Sequence, residues 1–384
     1  MELANRTRIG ILFTYFAADW IGGHYYLINI INSLNSLPDV RRPHIFVFYD
    51  HKVESSLALI SYPYVTYVYH KAPANNYLNY AKSWLSRKNF FIGDIIEKYQ
   101  LKGIYPLMDF PLGKPALSSK VVSWFPDFQH RFYPEYFSKI NIFFRELRVK
   151  RLLQRTHALV LSSQDAYNHL KRFYDVPASL PVHILRFVSQ VERPQNLSFD
   201  EITELYQVPK RYFIVSNQFY IHKNHWVVLK ALEQLKQRRN DFIVVFTGKE
   251  EDYKVTNFVQ GLKDFVTEKG LSDYVRFLGV IPRTHQLYLM SQSIAVVQPS
   301  KFEGWSTVVE DAKTLQVQLI LSDIDVHQEQ MQERGFYFSP DDVDELIRLM
   351  EGFLDNTIAP KPTFDDFEQR ISTFANTFVK IFQD

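Results

Sequence analysis

Residues 294–315 read IAVVQPSKFEGWSTVVEDAKTL, and the order of elements in this stretch decides the fold class. The apolar run Ile294–Gln298 predicts a buried strand, the Pro-Ser-x-x-Glu-Gly segment at 299–304 a loop, and Thr307–Leu315 a helix. The same strand-then-helix order recurs on both sides. Around it lie strands at Tyr212–Ser216, Phe242–Thr247, Val275–Leu278 and Leu319–Ser322, with helices at His225–Lys236, Asp252–Lys269 and Thr284–Ser291. The first half repeats the theme with strands at Arg8–Tyr15, His44–Tyr49, Val65–Tyr69, Gly103–Tyr105, Val121–Trp124 and Ala158–Ser162. There, Gly22-Gly23 is expected to break the chain before a helix marked by Leu27, Ile30, Ile31 and Leu34. Strands alternating with helices imply an α/β protein with parallel, doubly wound sheets.

The pattern lapses at Val191–Phe199, VERPQNLSF, which is the expected linker. The chain therefore divides into a domain at 1–195, a second at 196–362, and an amphipathic helix at 363–384 free to pack on either domain. Open α/β sheets bind ligands outside the carboxyl ends of their strands, so a cleft between two such domains is the expected site.

Composition narrows the chemistry. The 384 residues include no cysteine, which excludes disulfides, thiolate nucleophiles and Cys-ligated zinc. No apolar run reaches the roughly 20 residues needed to span a bilayer, and the opening Met-Glu-Leu-Ala-Asn-Arg lacks a signal-peptide pattern, so a cytoplasmic protein is expected. The net charge of +2 conceals an asymmetry: residues 1–195 hold 24 basic and 14 acidic side chains, the remainder 20 and 28. A basic first half is suited to an anionic acceptor or a membrane surface.

The loop before Thr307 has the makings of an anion site. Unpaired N–H groups at a helix start favour phosphate, and Gly304 permits close approach of a ligand to the backbone. Glu303 and Asp311 flank that position and can hold hydroxyl groups on either side of a phosphate. Thr307 and Glu310 have capping-box spacing, which gives Glu310 a structural reading.

With Pro299, Ser300, Glu303, Gly304, Asp311 and Ala312 in register, the chain resembles the retaining glycosyltransferases of family 4, whose GT-B fold is two Rossmann-like domains facing a cleft. Their hallmark is a Glu-x₇-Glu segment; here the second acid is an aspartate. The resemblance implies that Glu303 lies against the donor sugar, that amides of Gly304, Trp305, Ser306 and Thr307 bind its diphosphate, and that Asp311, or its neighbour Glu310, binds the ribose. Ala312 sets the register that favours Asp311. A second match, SNQFYIHKNH at 216–225, places Lys223 and Asn224 where the family neutralises the leaving diphosphate. The usual arginine of that motif is replaced by Asn217-Gln218, leaving Gln218 as a substitute amide donor.

In the first domain the resemblance implies a donor-facing glycine loop at Gly22-Gly23. The segment WFPDFQHRFYPEYFS at 124–138 looks like the variant subgroup with Asp-Phe-Gln-His, with Asp127 and His130 as catalytic candidates. The following Lys139–Thr156 interleaves six cations with apolar residues; it reads either as a core helix with a basic outer face or as a contact to anionic lipid. Asp-x-Asp triplets at Asp323 and Asp342 are common chance matches, and no metal, cofactor or nucleic-acid partner is expected.

The expected function is retaining, metal-independent transfer of a hexose from a UDP-, GDP-, ADP- or dTDP-sugar to a glycan or lipid-linked acceptor in bacterial surface polysaccharide synthesis, in the cytoplasm or at the inner face of the membrane. The rivals are another GT-B enzyme such as a sugar-nucleotide epimerase, and a non-catalytic glycan- or nucleic-acid-binding protein.

Overall fold

The computed structural model describes residues 3–13, 21–70, 85, 92–108, 119–192, 194, 197–252, 255, 257–362, 364 and 366–383. The chain forms two units, Met1–Gln190 with Asp366–Asp384, and Val191–Asp365.

In the first unit, short apolar runs become β1 (Arg8–Leu12), β2 (His44–Tyr49), β3 (Val65–Tyr69), β4 (Gly103–Leu107), β5 (Lys120–Trp124), β6 (Ala158–Leu161) and β7 (Val182–Ile184). They pair in the order β3-β2-β1-β4-β5-β6-β7, every pair parallel. The expected extension of β1 to Tyr15 falls outside the described residues. Gly22 and Gly23 do not form the expected loop; they are the second and third residues of the helix Ile21–Ser33. The buried series Tyr26, Leu27, Ile30, Ile31 and Leu34 fixes that segment as a helix, and this burial outweighs a glycine cost of about 1 kcal/mol each.

The C-terminal helix, Phe367–Lys380, belongs to this first unit. Phe374 meets Phe187 edge-on, and Phe378 meets Tyr105 in the same way. A Cβ on Gly103 would lie 2.5 Å from the Phe382 ring, so the bare glycine in β4 is what admits the closing aromatic.

The second unit has β8 (Tyr212–Ser216), β9 (Ile243–Thr247), β10 (Val275–Phe277), β11 (Val296–Gln298), β12 (Leu319–Ser322) and β13 (Phe336–Phe338), in the order β10-β9-β8-β11-β12-β13. These strands are parallel and their side chains alternate between two cores. Phe213, Val215, Val244, Phe246 and Ile320 pack with the helices His225–Leu235, Phe258–Glu268 and Val343–Leu354. Tyr212, Ile214, Val245 and Leu321 pack with the helices Arg283–Gln292 and Thr307–Leu315 on the other face. A helix absent from the sequence reading, Phe199–Tyr206, stands at the end of the expected linker, started by a capping box between Ser198 and Glu201.

Candidate active site

The second sheet reverses its strand order between β8 and β11, and such a switch point opens a crevice at the carboxyl ends of the two strands. Lys223 follows β8 and Glu303 follows β11, so the topology joins two residues distant in sequence. Lys223 Nζ donates to Glu303 Oε1 at 2.6 Å. Burial pushes the Glu303 carboxyl up, but the Lys223 ammonium, the His327 ring and the Ser300 hydroxyl hold it below the usual carboxylate range on balance. The acid is therefore an anion at neutral pH.

Gln298, the last residue of β11, organises this pair. Its Oε1 accepts from Asn217 Nδ2 at 2.7 Å, and its Nε2 donates to Glu303 Oε1 at 2.8 Å, with the Ser300 and Ser306 hydroxyls each at 3.2 Å. Asn217, one of the two residues at the missing-arginine position, is thus turned inward, whereas Gln218 beside it is partly exposed. Asn224 has φ +58° and donates to the carbonyls of Pro299 at 3.1 Å and Pro340 at 2.7 Å. It clasps the loops after β8 and β11 together, and the helix His225–Leu235 starts directly behind it.

The helix Thr307–Leu315 is capped by Ser306, whose hydroxyl accepts from the Val309 N–H at 3.4 Å. Thr307 is already the first helical residue, so the expected Thr307–Glu310 capping box does not form. Gln330 holds the cap from outside, accepting from the Ser306 N–H at 3.0 Å and donating to its carbonyl at 3.1 Å. Glu310 is buried with Lys313 Nζ at 3.0 Å and Gln330 Nε2 at 3.1 Å. Gly304 and Trp305 lie partly exposed in the loop ahead of the cap.

Asp311 faces elsewhere. Arg283 Nη2 donates to its Oδ1 at 2.6 Å, Arg283 Nη1 donates to Gln286 Oε1 at 3.0 Å, and Gln286 in turn donates to Ser216 at the end of β8. Sequence reasoning missed Arg283, Gln298 and His327. A polar residue closing an apolar strand was the available signal for Gln298, and a cation directly after Pro282 was the signal for Arg283. The His327 ring is fully buried: Nδ1 lies 2.9 Å from the Ser322 carbonyl, and burial holds its pKa low despite the nearby Glu303 charge.

Asp127 and His130 lie in the first unit, beyond β5. Asp127 Oδ1 accepts from the Gln129 N–H at 3.0 Å. His130 is buried with Nε2 at 3.0 Å from Glu146 Oε1 and 3.3 Å from the Tyr174 hydroxyl, while Arg131 grips the other Glu146 oxygen at 2.7 Å. Burial, followed by the Arg145 charge, holds the ring below its ordinary pKa, and Glu146 opposes that.

Residues 201–370, which cover the second unit from its first helix onward, match the family model for glycosyl transferases group 1. The second unit is thus similar to the group 1 glycosyltransferases. The O-antigen chain mannosyltransferase RfbU of Salmonella typhimurium is 22% identical over 258 residues, covering 65% of this chain and 67% of that protein. A glycosyltransferase from Rickettsia africae has a TM-score of 0.65 at 15% identity, and HepE of Anabaena, solved with UDP and glucose, 0.66 at 16%; each alignment spans 98% of this chain and 94% of the other. Both likenesses identify the GT-B fold for this chain, and the Lys223–Glu303 pair lies within the matched residues 201–370.

Proposed function

We propose that this glycosyltransferase is a retaining enzyme that takes its sugar from a nucleoside diphosphate donor without a metal ion. The observation that carries the reading is the Lys223–Glu303 pair, 2.6 Å apart at the switch point and beside the start of the helix Thr307–Leu315. A fixed cation and a helix start together suit a diphosphate, and the adjacent carboxylate suits the hydroxyl groups of the sugar it carries. Lys223 has three donors, one of them engaged by Glu303, which leaves two for phosphate oxygens. In this reading Asp311 holds the ribose and the amides of Gly304–Thr307 assist Lys223, with Gln218 at the vacated arginine position.

The bond between the sugar C1 and the diphosphate oxygen breaks, leaving an oxocarbenium-like sugar against Glu303. The acceptor hydroxyl attacks C1 from the same face, and its proton passes to the departing phosphate oxygen. Lys223 and the amides stabilise the charge that develops on that oxygen, an effect typically worth 10²–10³ in rate for a single donor. The likeness to an O-antigen chain mannosyltransferase is consistent with a glycan or lipid-linked acceptor in polysaccharide synthesis, bound by the first unit near Asp127 and His130.

A thermal-shift panel of UDP-, GDP-, ADP- and dTDP-sugars identifies the donor, because a ligand that binds the native state raises its melting temperature. With that donor, Lys223→Ala and Glu303→Ala are each expected to lower kcat by about 10²–10³. Wild-type rates in both variants would overturn the reading.

A further inference from the structure

The helix Lys139–Arg155 buries one face and exposes apolar side chains on the other. Val149, Leu152 and Leu153 enter the core with Phe125 and Phe128. The outward face carries Ile140, Phe143 and Phe144, 68%, 63% and 52% exposed, with Leu147 partly exposed at the next position. The spacing i, i+3, i+4, i+7 places these four on a single stripe. Sequence alone allowed Phe143 and Phe144 to be core residues; the fold turns them outward, and their rings lie edge-on to one another.

The charge along the helix is one-sided. Lys139, Arg145, Arg148, Lys150, Arg151 and Arg155 face a single acid, Glu146, which is already engaged by Arg131 and His130. The apolar stripe occupies the first two turns, and Arg148, Lys150, Arg151 and Arg155 follow it. Large exposed aromatics flanked by cations match a bilayer interface, where rings enter the acyl boundary while cations meet head-group phosphates. No helix among the described residues is long and apolar enough to cross a membrane, so the contact is with its surface.

We infer that the face of Lys139–Arg155 docks the first unit onto an anionic lipid surface, with Ile140, Phe143 and Phe144 inserted and the following cations on the head groups. The inference does not depend on the reading of the donor site, because it is tested without transfer. The full chain is floated with vesicles of phosphatidylcholine alone, and with vesicles in which about 30% of the lipid is phosphatidylglycerol, at low and high salt. Binding is expected only to the anionic vesicles and is expected to weaken with salt. Phe143→Ser with Phe144→Ser is expected to lower partitioning about tenfold or more, and Lys150→Gln with Arg151→Gln about fivefold for each charge removed. All four positions lie at the surface or partly so, and an unchanged melting temperature shows that each variant is folded. Equal binding to both vesicle types, binding to neither, or wild-type binding by both folded variants overturns the proposal. So does a wild-type dimer that the Phe143→Ser, Phe144→Ser variant converts to monomer, which would make the face a self-association surface.

Discussion

Asp311 is almost wholly buried against the Arg283 guanidinium, 2.6 Å away. Removing one partner of such a pair costs more than the pair contributes, because the remaining charge is stranded. In the proposed site, Arg283 is a positioning residue that keeps the shorter acid extended toward the ribose. Arg283→Ala is expected to raise KM for the donor about tenfold, or about 1.4 kcal/mol, with a smaller change in kcat. Steady-state kinetics decide it: an unchanged KM removes Arg283 from donor binding. This pair also shows where sequence reading runs out at the residue scale. Glu303, Lys223 and Asp311 carry a spacing that can be read; Arg283 and Gln298 matter only because the sheet brings separate loops to one edge.

At the scale of an element, the start of the helix His225–Leu235 deserves a test of its own. His225 is its first residue, fully buried and stacked on Phe219 with ring centroids 4.4 Å apart. Burial, then the neighbouring Lys223 charge, brings its pKa down to about 3 from an ordinary 6.5. The unfolded chain therefore takes up a proton on acidification before the folded chain does. Stability is complete above about pH 6.5 and declines toward pH 3, by about 1.4 kcal/mol per pH unit from this ring. Buried His130 and His327 shift in the same direction. Replacing His225 by Phe keeps the stacked ring and is expected to flatten part of the fall in melting temperature between pH 7 and pH 5; an unaltered slope refutes the assignment. Strands and helices of this unit were largely legible because apolar runs of four to six residues alternate with longer amphipathic ones. Phe336–Phe338 was not, nor was Val182–Ile184 in the first unit: neither three-residue strand sits in a longer apolar run, and each takes its form from its neighbour in the sheet.

For the molecule as a whole, the C-terminal helix ties the chain's last segment to its first unit. Ile371, Phe374, Phe378, Val379, Ile381 and Phe382 are all buried. At about 1.5–3 kcal/mol for each large side chain, their combined burial is of the order of the 5–15 kcal/mol that stabilises an ordinary domain. A chain ending at residue 365 is expected to lose the cooperative unfolding of the first unit while the second still melts higher with the donor nucleotide. Differential scanning calorimetry with and without that nucleotide checks this, and two intact transitions would show the helix to be dispensable. Sequence pattern announced an amphipathic helix here but not its destination, because an apolar stripe specifies that something is covered and not what. The pairing of Phe374 with Phe187 and of Phe378 with Tyr105 supplies the answer.

That return path also orders events in time. Synthesis delivers β1 to β7 first, yet the helix that completes their core is encoded after the entire second unit. A domain generally folds as a unit when its chain is available, so the second unit can be finished while the one made before it still waits with Tyr105 and Phe187 uncovered. The older half of the nascent chain is then the one exposed to chaperones and proteases, and the younger half is the first to mature.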